Sequence, residues 1–233
     1  MSVANFLDGY RRQIYVRDKD GIFPENPLIV ALGDSVTQGC FEGNKGYSKQ
    51  MMEEFYPDGE IIPGVIDTIN VYHEKFRMNL AEKYNAPVNM INSGIGGDTV
   101  IHMLQRLDRD VLRYLPHLVL INASLNGPAG NLAVYEKHLR AIIDEILDKT
   151  EAEIILMTPN MMTKSWMHDL EDRVEIIKKV GVEKHLSVAD VYAIWKEIEA
   201  SGIDINILLS NRINHPVIVG HEICSIELMK LFE

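Results

Sequence analysis

Short runs of consecutive aliphatic residues recur along the chain and alternate with segments whose apolar residues are spaced at helical intervals. Nearly continuous apolar runs are typical of strands that are buried on both faces of a parallel sheet. The sequence contains these runs at 28–32 (LIVAL), 87–92 (PVNMIN), 117–122 (HLVLIN), 153–158 (EIILMT) and 185–190 (HLSVAD). The pattern therefore predicts a sheet of about five parallel strands.

Helical stripes lie between these runs, with apolar residues recurring every three or four positions. The stripes extend from Ile69 to Tyr84, from Val100 to Tyr114 and from Leu132 to Ile146, and a further one follows Pro216. That proline is well placed at a helix start. Strands that alternate with helices predict right-handed βαβ units, and hence a three-layer α/β/α sandwich with flavodoxin-like topology.

The chain has no internal repeat, low-complexity tract or Pro/Ser-rich linker, which predicts a single domain over residues 1–233. Residues 1–26 are expected to form an N-terminal extension that packs on this domain. The stretch 41–66 breaks the alternation of strands and helices. It is predicted to form an irregular loop with a short helix near the functional site.

Charge and composition exclude several classes of function. The chain carries 23 Lys and Arg against 34 Asp and Glu, and its net charge of −11 argues against a nucleic-acid partner, since phosphate binding relies on basic residues. Its apolar segments are shorter than the roughly 20 residues that cross a bilayer, and its first residues lack the apolar core of a secretory signal. Cys40 and Cys224 form no CxxC pair. We therefore expect a cytoplasmic protein without a metal site.

Polar residues suited to chemistry follow the predicted strands, at the edge where functional residues of parallel sheets gather. These junctions read GDSVTQG at 33–39, NSGIGGDT at 92–99 and NASLNGPAG at 122–130, and LLSNRINHP at 208–216 follows the last crossover. Each junction taken alone also has a structural interpretation. Ser35 suits a helix N-cap, and so does either Asp98 or Thr99. The glycines of the second block suit a phosphate cradle, Asn126 suits a turn, and His215 suits a helix start.

Together and in this order, the four blocks resemble the SGNH hydrolases, the GDSL-type esterases and lipases. The resemblance spans residues 28 to about 230, and it is nearest to bacterial relatives of the small lysophospholipase-like esterases. It implies that Ser35 is the nucleophile and His215 the base. It also implies an oxyanion hole formed by the backbone N–H groups of Ser35 and Gly97 and the side-chain amide of Asn126, with no cofactor.

The implied chemistry needs these residue types. A serine hydroxyl is a poor nucleophile until a neighbouring imidazole takes its proton, so Ser35 requires His215. The negative charge that develops on the substrate oxygen needs hydrogen-bond donors aimed at it, and one such donor is typically worth about 10²–10³ in rate. Glycine suits position 97, because a residue without a side chain lets its N–H come close to the substrate.

The sequence departs from the family at the position that usually orients the histidine. Most members have an aspartate three residues before it, but Arg212 stands there and accepts no hydrogen bond. Asn211 is the favoured alternative, as a neutral third catalytic residue. A backbone carbonyl, or a remote acid such as Asp204 or Asp190, is also compatible with the sequence.

A second departure lies in the third block, which usually reads Gly-x-Asn-Asp. Here Gly127 replaces the aspartate, which predicts a change in the local support of Asn126 rather than loss of the donor.

Three functions are compatible with these residues. The favoured one is an esterase that hydrolyses small, short-acyl esters, with a carbohydrate or another small alcohol as the esterified group. The missing aspartates favour a second one, a catalytically weak or inactive SGNH-fold binding protein. The third is a nucleotide-binding protein that uses the glycines of the second block, although the chain lacks a P-loop lysine pattern. The sequence predicts no oligomeric state.

Overall fold

The computed structural model of the protein describes residues 26–42, 64–127, 130–164 and 168–233. The strands in these ranges are β1 (Leu28–Gly33), β2 (Cys40–Glu42), β3 (Gly64–Ile66), β4 (Asn89–Gly94), β5 (Leu118–Asn122), β6 (Glu153–Met157) and β7 (Ser187–Ala189). Five of them, β1 and β4 to β7, form one parallel sheet at the predicted runs, which confirms the predicted sheet.

The strand order in this sheet is β4-β1-β5-β6-β7. It is the doubly wound order of flavodoxin-like folds, in which the chain first adds a strand on one side of β1 and then continues on the other side. β1 pairs with β4 through Leu28 and Asn89, and with β5 through Ile29 and Leu118. A crevice therefore opens beyond the carboxyl ends of β1 and β5, where the crossovers diverge.

Helices cover both faces of the sheet, as the predicted sandwich requires. They are α1 (Ser35–Gln38), α2 (Tyr72–Tyr84), α3 (Val100–Gln105), α4 (Leu107–Asp110), α5 (Leu132–Lys149), α6 (Leu170–Lys184), α7 (Val191–Ala200) and α8 (Ile218–Met229). Short 3₁₀ helices occupy 112–114, 205–208 and 230–232. Within the described ranges, no helix combines the length and the apolar character needed to cross a membrane.

Successive residues of β1 point to opposite faces of the sheet, as the pleat of a strand requires. Ile29 and Ala31 pack into the core formed with α2, α7 and α8, whereas Val30 and Leu32 pack into the core formed with α3 and α5. All four side chains are almost completely buried. Burial on both faces explains why β1 reads as a continuous apolar run.

The predicted helix from Val100 to Tyr114 is interrupted. One break lies at Arg106, whose backbone angles (φ −103°, ψ 4°) leave the helical region and separate α3 from α4. A second break lies at Val111 (φ −133°, ψ −64°), before the 3₁₀ helix at 112–114. The guanidinium of Arg106 turns back toward the carboxyl end of β1 and donates to the carbonyl of Gly33 at 3.0 Å. The predicted apolar residues are thus helical in part, and Arg106, which lies between Leu104 and Leu107, bonds the sheet edge where the helix breaks.

Two predictions fall partly outside the described residues. The expected N-terminal extension lies there, apart from Asn26, and so does 43–63, the central part of the predicted loop at 41–66. The two ends of that loop pair as an antiparallel ribbon, with Cys40 of β2 opposite Ile66 of β3. The sequence did not predict this pairing.

Two buried histidines lie beneath α1. His73 donates from Nε2 to the carbonyl of Thr37 at 3.0 Å, and His221 accepts at Nδ1 from the N–H of Tyr72 at 3.2 Å. Both side chains are almost inaccessible to solvent. Burial lowers the pKa of His73 to about 4 and that of His221 to about 3, so both rings are neutral in the folded protein.

We expect these rings to make the protein sensitive to acid. The unfolded chain takes up protons on both histidines below their ordinary pKa of 6.5, whereas the folded protein does not, so the free energy of unfolding falls as the pH drops from 6.5 toward 4. Each ring contributes a slope of about 1.4 kcal/mol per pH unit in this window. Urea unfolding between pH 7.5 and 5 should show a shallower loss for H73Q and H221Q than for the unaltered protein. Equal slopes in all three proteins would contradict the assignment.

Candidate active site

Ser35 is the first residue of α1, directly after β1. The cap of this helix is Asp34, whose Oδ1 accepts the N–H of Val36 at 3.0 Å. The hydroxyl of Ser35 is therefore not used for capping. It lies 2.8 Å from Nε2 of His215, a distance at which the hydroxyl donates a hydrogen bond to a neutral imidazole. Both side chains are largely buried, with 5% of Ser35 and 8% of His215 exposed.

His215 sits at the end of a tightly closed loop. Residues Leu209 and Pro216 pair as an antiparallel bridge at its base, and the N–H of Ser210 donates to the carbonyl of His215 at 2.7 Å. From outside the loop, Nδ2 of Asn160 donates to the carbonyl of Asn214 at 2.9 Å. The backbone that carries the imidazole is thus fixed from two sides.

Asn211, the predicted third catalytic residue, bonds the main chain of the loop that carries His215. Its Oδ1 accepts three backbone N–H groups, from Ile213 at 2.9 Å, Asn214 at 2.9 Å and His215 at 3.1 Å. Its Nδ2 donates to Oδ1 of Asn214 at 2.9 Å. The intervening Arg212 adopts a left-handed conformation (φ 56°), which curls the loop around the Asn211 amide. These contacts of Asn211 shape the loop that carries the imidazole, and its role as a third catalytic residue stays a prediction.

The two remote acids considered from the sequence are used elsewhere. Asp190 caps α7 through the N–H of Ala193, and it also bonds Thr158 and Lys178. Asp204 accepts the N–H of Asn206 at 3.0 Å at the start of a 3₁₀ helix. These contacts join Asp190 to α7, Thr158 and α6, and they join Asp204 to the 3₁₀ helix that it precedes.

The two other predicted donors line the same cavity as Ser35 and His215. The cavity has a volume of about 620 Å³, and Gly97 and Asn126 are among the residues that form its wall. Nδ2 of Asn126 is buried, and within the described part of the chain it has no hydrogen-bond acceptor. A buried amide donor without an acceptor costs free energy unless something binds to it, so this amide is suited to a substrate oxygen.

Gly97 lies in the turn after β4 with a φ of +73°. A Cβ built at this position meets no atom of the described structure within 4 Å. Backbone conformation, rather than crowding by neighbouring protein atoms, is therefore what favours glycine here. From the sequence, the glycine at position 97 was explained only by the close approach of its N–H to the substrate.

A buried arginine joins the first two blocks. Arg106 donates from Nε to Oδ2 of Asp98 at 2.6 Å, and from Nη2 to the carbonyl of Gly33 at 3.0 Å. Gly33 lies two residues before Ser35, and Asp98 directly follows Gly97. This contact sets the relative position of the two backbone N–H donors.

The carboxyl group next to the nucleophile has an altered pKa. Complete burial raises the pKa of Asp34 to about 7; the hydrogen bond from Val36 opposes this shift, and the nearby Asp98 carboxylate adds to it. Near neutral pH, the first block therefore carries less negative charge than the sequence suggests.

The model of the GDSL-like lipase/acylhydrolase family matches residues 31–223, which include all four blocks. The chain belongs to this family. No curated protein is similar enough to count as a match.

Solved structures of similar fold include esterases and acylhydrolases. A catalytic mutant of an acetylxylan esterase from Geobacillus stearothermophilus is 21% identical, with a TM-score of 0.67 over 90% of this chain and 95% of that one. A lipase/acylhydrolase from Enterococcus faecalis is also 21% identical, with a TM-score of 0.66 over 88% and 94% of the two chains. At these identities the likeness shows the fold, and family membership identifies the chain as an enzyme that acts on ester bonds.

In this GDSL-type hydrolase, sequence reasoning missed a residue that lines the cavity. Arg173 lies on α6, a helix that was not predicted, and its guanidinium reaches the third block. The pattern contains a signal for it. Arg173 stands four residues after Asp169, among the apolar positions Leu170, Val174 and Ile177 that face the core. A charged residue on the buried face of a helix, four residues from an opposite charge, is typical of a buried ion pair.

Proposed function

We propose that the protein is a serine esterase that forms an acyl-enzyme on Ser35, and the observation that carries the proposal is the 2.8 Å contact between Oγ of Ser35 and Nε2 of His215. Gly97 and the unpartnered amide of Asn126 line the same cavity. This combination of nucleophile, base and donors is the arrangement that ester hydrolysis requires.

The mechanism proceeds in two half-reactions. His215 takes the proton of the Ser35 hydroxyl as Oγ attacks the ester carbonyl, and the oxyanion receives hydrogen bonds from the N–H groups of Ser35 and Gly97 and from Nδ2 of Asn126. Collapse of the intermediate breaks the bond to the alkoxy oxygen, which leaves as an alcohol with the proton from His215. Water, deprotonated by the same imidazole, then attacks the acyl-enzyme and releases the carboxylic acid and free Ser35.

The cavity wall supports a small ester of a polar alcohol as substrate. Around the nucleophile, the wall includes Asn211, Asn214, His168 and Asp169 together with three glycines, and apolar atoms form the larger part of its surface. The hydrogen-bonding groups suit the hydroxyls of a polar alcohol, and the apolar atoms suit contact with a short acyl group. One of the structurally similar proteins is an acetylxylan esterase, which fits a short acyl group on a carbohydrate.

We expect hydrolysis to favour short acyl groups. In a series of p-nitrophenyl acetate, butyrate and octanoate, kcat/KM should be highest for acetate or butyrate and fall for octanoate. A fluorophosphonate probe should label the intact protein, and peptide mass spectrometry should place the adduct on Ser35. Acetylated xylo-oligosaccharides, assayed by release of acetate, test the carbohydrate part of the proposal.

The opposite outcomes separate the alternatives. Probe labelling without turnover of any ester would favour the second candidate, a catalytically weak or inactive binding protein. Turnover without labelling of Ser35 would contradict the serine mechanism. Preference for octanoate would contradict the short-acyl substrate and would favour the lysophospholipase-like branch predicted from the sequence. A cytoplasmic location also stays a prediction.

A further inference from the structure

Arg173 is a buried cation that bonds the main chain of the third block. Only 5% of the residue is exposed. Its Nη1 donates to the carbonyl of Asn126 at 2.7 Å and to the carbonyl of Ser124 at 3.0 Å. The two acceptors flank the peptide of Leu125, so one guanidinium nitrogen fixes the backbone on both sides of it. Charged donors form the stronger hydrogen bonds, and burial increases their strength.

The guanidinium is itself held in place. Asp169, one turn earlier, pairs with Nη2 of Arg173 at 3.2 Å. The other carboxylate oxygen of Asp169 accepts the N–H of Gly130 at 2.9 Å, so the same ion pair also contacts the far end of the loop. The ring of Tyr135 lies under the guanidinium at 5.4 Å. These contacts leave the guanidinium little freedom to move.

Three side-chain atoms at the carboxyl end of β5 and in the described part of the loop make no hydrogen bond of their own. Oδ1 of Asn122, Oγ of Ser124 and Nδ2 of Asn126 are all buried and lack hydrogen-bond partners among the described residues. Gly127 adopts a φ of +118°, a conformation that an aspartate at this position would rarely adopt. A Cβ built on Gly127 would lie 3.7 Å from Nη1 of Arg173, so the glycine and the guanidinium are close neighbours.

We propose that Arg173, held by Asp169, is the positioning residue for the oxyanion donor Asn126, and that it supports a loop in which Gly127 stands at the position of the expected aspartate. The inference rests on the proposed function. Arg173 acts through the backbone of residues 124–126, since its Nη1 bonds main-chain carbonyls of the third block. Its Nη1 and Nη2 are engaged by protein acceptors, so a role as an anchor for substrate charge is less compatible with the contacts.

The test is a double-mutant cycle between R173M and N126A. R173M should lower kcat for p-nitrophenyl acetate by about 10- to 100-fold with KM changed by less than about threefold, since a displacement near 1 Å of a catalytic group can cost about 10² in rate. In the N126A background, the same R173M change should cost less than about threefold, because the donor that it positions is already gone. R173K should recover part of the rate, since its ammonium can reach the same carbonyls.

R77M is the matched control. Arg77 also bonds a carboxylate, Glu74, and a main-chain carbonyl, that of Val88, but it lies on α2 away from the cavity. Its loss should leave kcat within about twofold. If the R173M effect is the same in the N126A background as in the unaltered protein, Arg173 acts on stability or elsewhere in the site, and the inference is wrong.

Amide hydrogen exchange tests the inference independently of activity, because it measures the stability of the loop backbone and needs no substrate. R173M should speed exchange at residues 122–127 relative to the unaltered protein, whereas R77M should not. Unchanged exchange in R173M would overturn the positioning role even in an active enzyme. The two proposals can fail separately. If the unaltered protein hydrolyses no ester, the proposed function is wrong. If R173M still speeds exchange in that case, the support of the loop by Arg173 is retained.

Discussion

The S35A variant is expected to lose at least about 10⁴-fold in kcat for p-nitrophenyl acetate while it remains folded. The hydroxyl has no other structural task in the described contacts, since Asp34 caps α1 and Ser35 bonds only His215 through its side chain. H215A should cost a similar factor, because the unassisted hydroxyl does not lose its proton near neutral pH. The double variant should be little slower than either single one, since the two residues act as a unit.

The control for S35A is S225A. Ser225 is also buried, but it lies on α8 and bonds Nδ2 of Asn79 at 3.3 Å, away from the cavity. We expect it to keep kcat within about twofold. Thermal unfolding should give similar midpoints for S35A and the unaltered protein. Undiminished turnover in S35A would show that Ser35 is not the nucleophile, even in a protein with this fold.

Replacement of Asn126 should produce the next largest effect. N126A removes one of the proposed oxyanion donors, and we expect kcat to fall by about 10²–10³ with little change in KM, because the donor acts mainly in the transition state. N126D should be slower still at neutral pH, since a carboxylate would repel the developing negative charge. Steady-state kinetics on p-nitrophenyl acetate measures both effects.

Asn79 gives a matched control for this change as well. It is an exposed residue of α2, and among the described residues its side-chain amide donates to Oγ of Ser225. N79A should leave kcat near that of the unaltered protein. If N126A raises KM and leaves kcat unchanged, Asn126 binds the ground state of the substrate, and the oxyanion assignment is wrong.

The two departures from the family pattern share a physical feature. Arg212 and Gly127 stand where the family has aspartates, and both adopt positive φ, at 56° and 118°. In each loop, side-chain to main-chain hydrogen bonds supply support: Asn211 bonds three N–H groups of the loop that carries His215, and Arg173 bonds two carbonyls of the loop that carries Asn126. At two places around the cavity, side-chain to main-chain hydrogen bonds thus support a loop that lacks the expected aspartate.

The sequence predicted the sheet well, because strands that are buried on both faces consist of consecutive apolar residues and such runs are easily recognised. β1 and β5 match the predicted runs to within a residue or two, and the topology brings the predicted junctions to one edge of the sheet. Ser35 and His215 are 180 residues apart, and only the order of the four blocks linked them in advance.

The missed features depend on geometry that no local pattern contains. The role of Asn211 is decided by the left-handed turn at Arg212, which an arginine does not favour and which the sequence therefore gave no reason to expect. The contacts of Arg173 join residues 47 and 49 positions apart through a helix that the apolar stripes did not reveal. The break at Arg106 is likewise set by a tertiary contact, with Gly33, rather than by helix propensity.

The most direct measurement is a crystal structure of the enzyme after reaction with a fluorophosphonate, whose phosphoryl oxygen stands in for the oxyanion. The account predicts a covalent bond to Oγ of Ser35, with that oxygen within about 3 Å of the backbone nitrogens of Ser35 and Gly97 and of Nδ2 of Asn126. An adduct on another residue, or an adduct on Ser35 whose oxygen lies beyond hydrogen-bonding distance of Gly97 and Asn126, would contradict it.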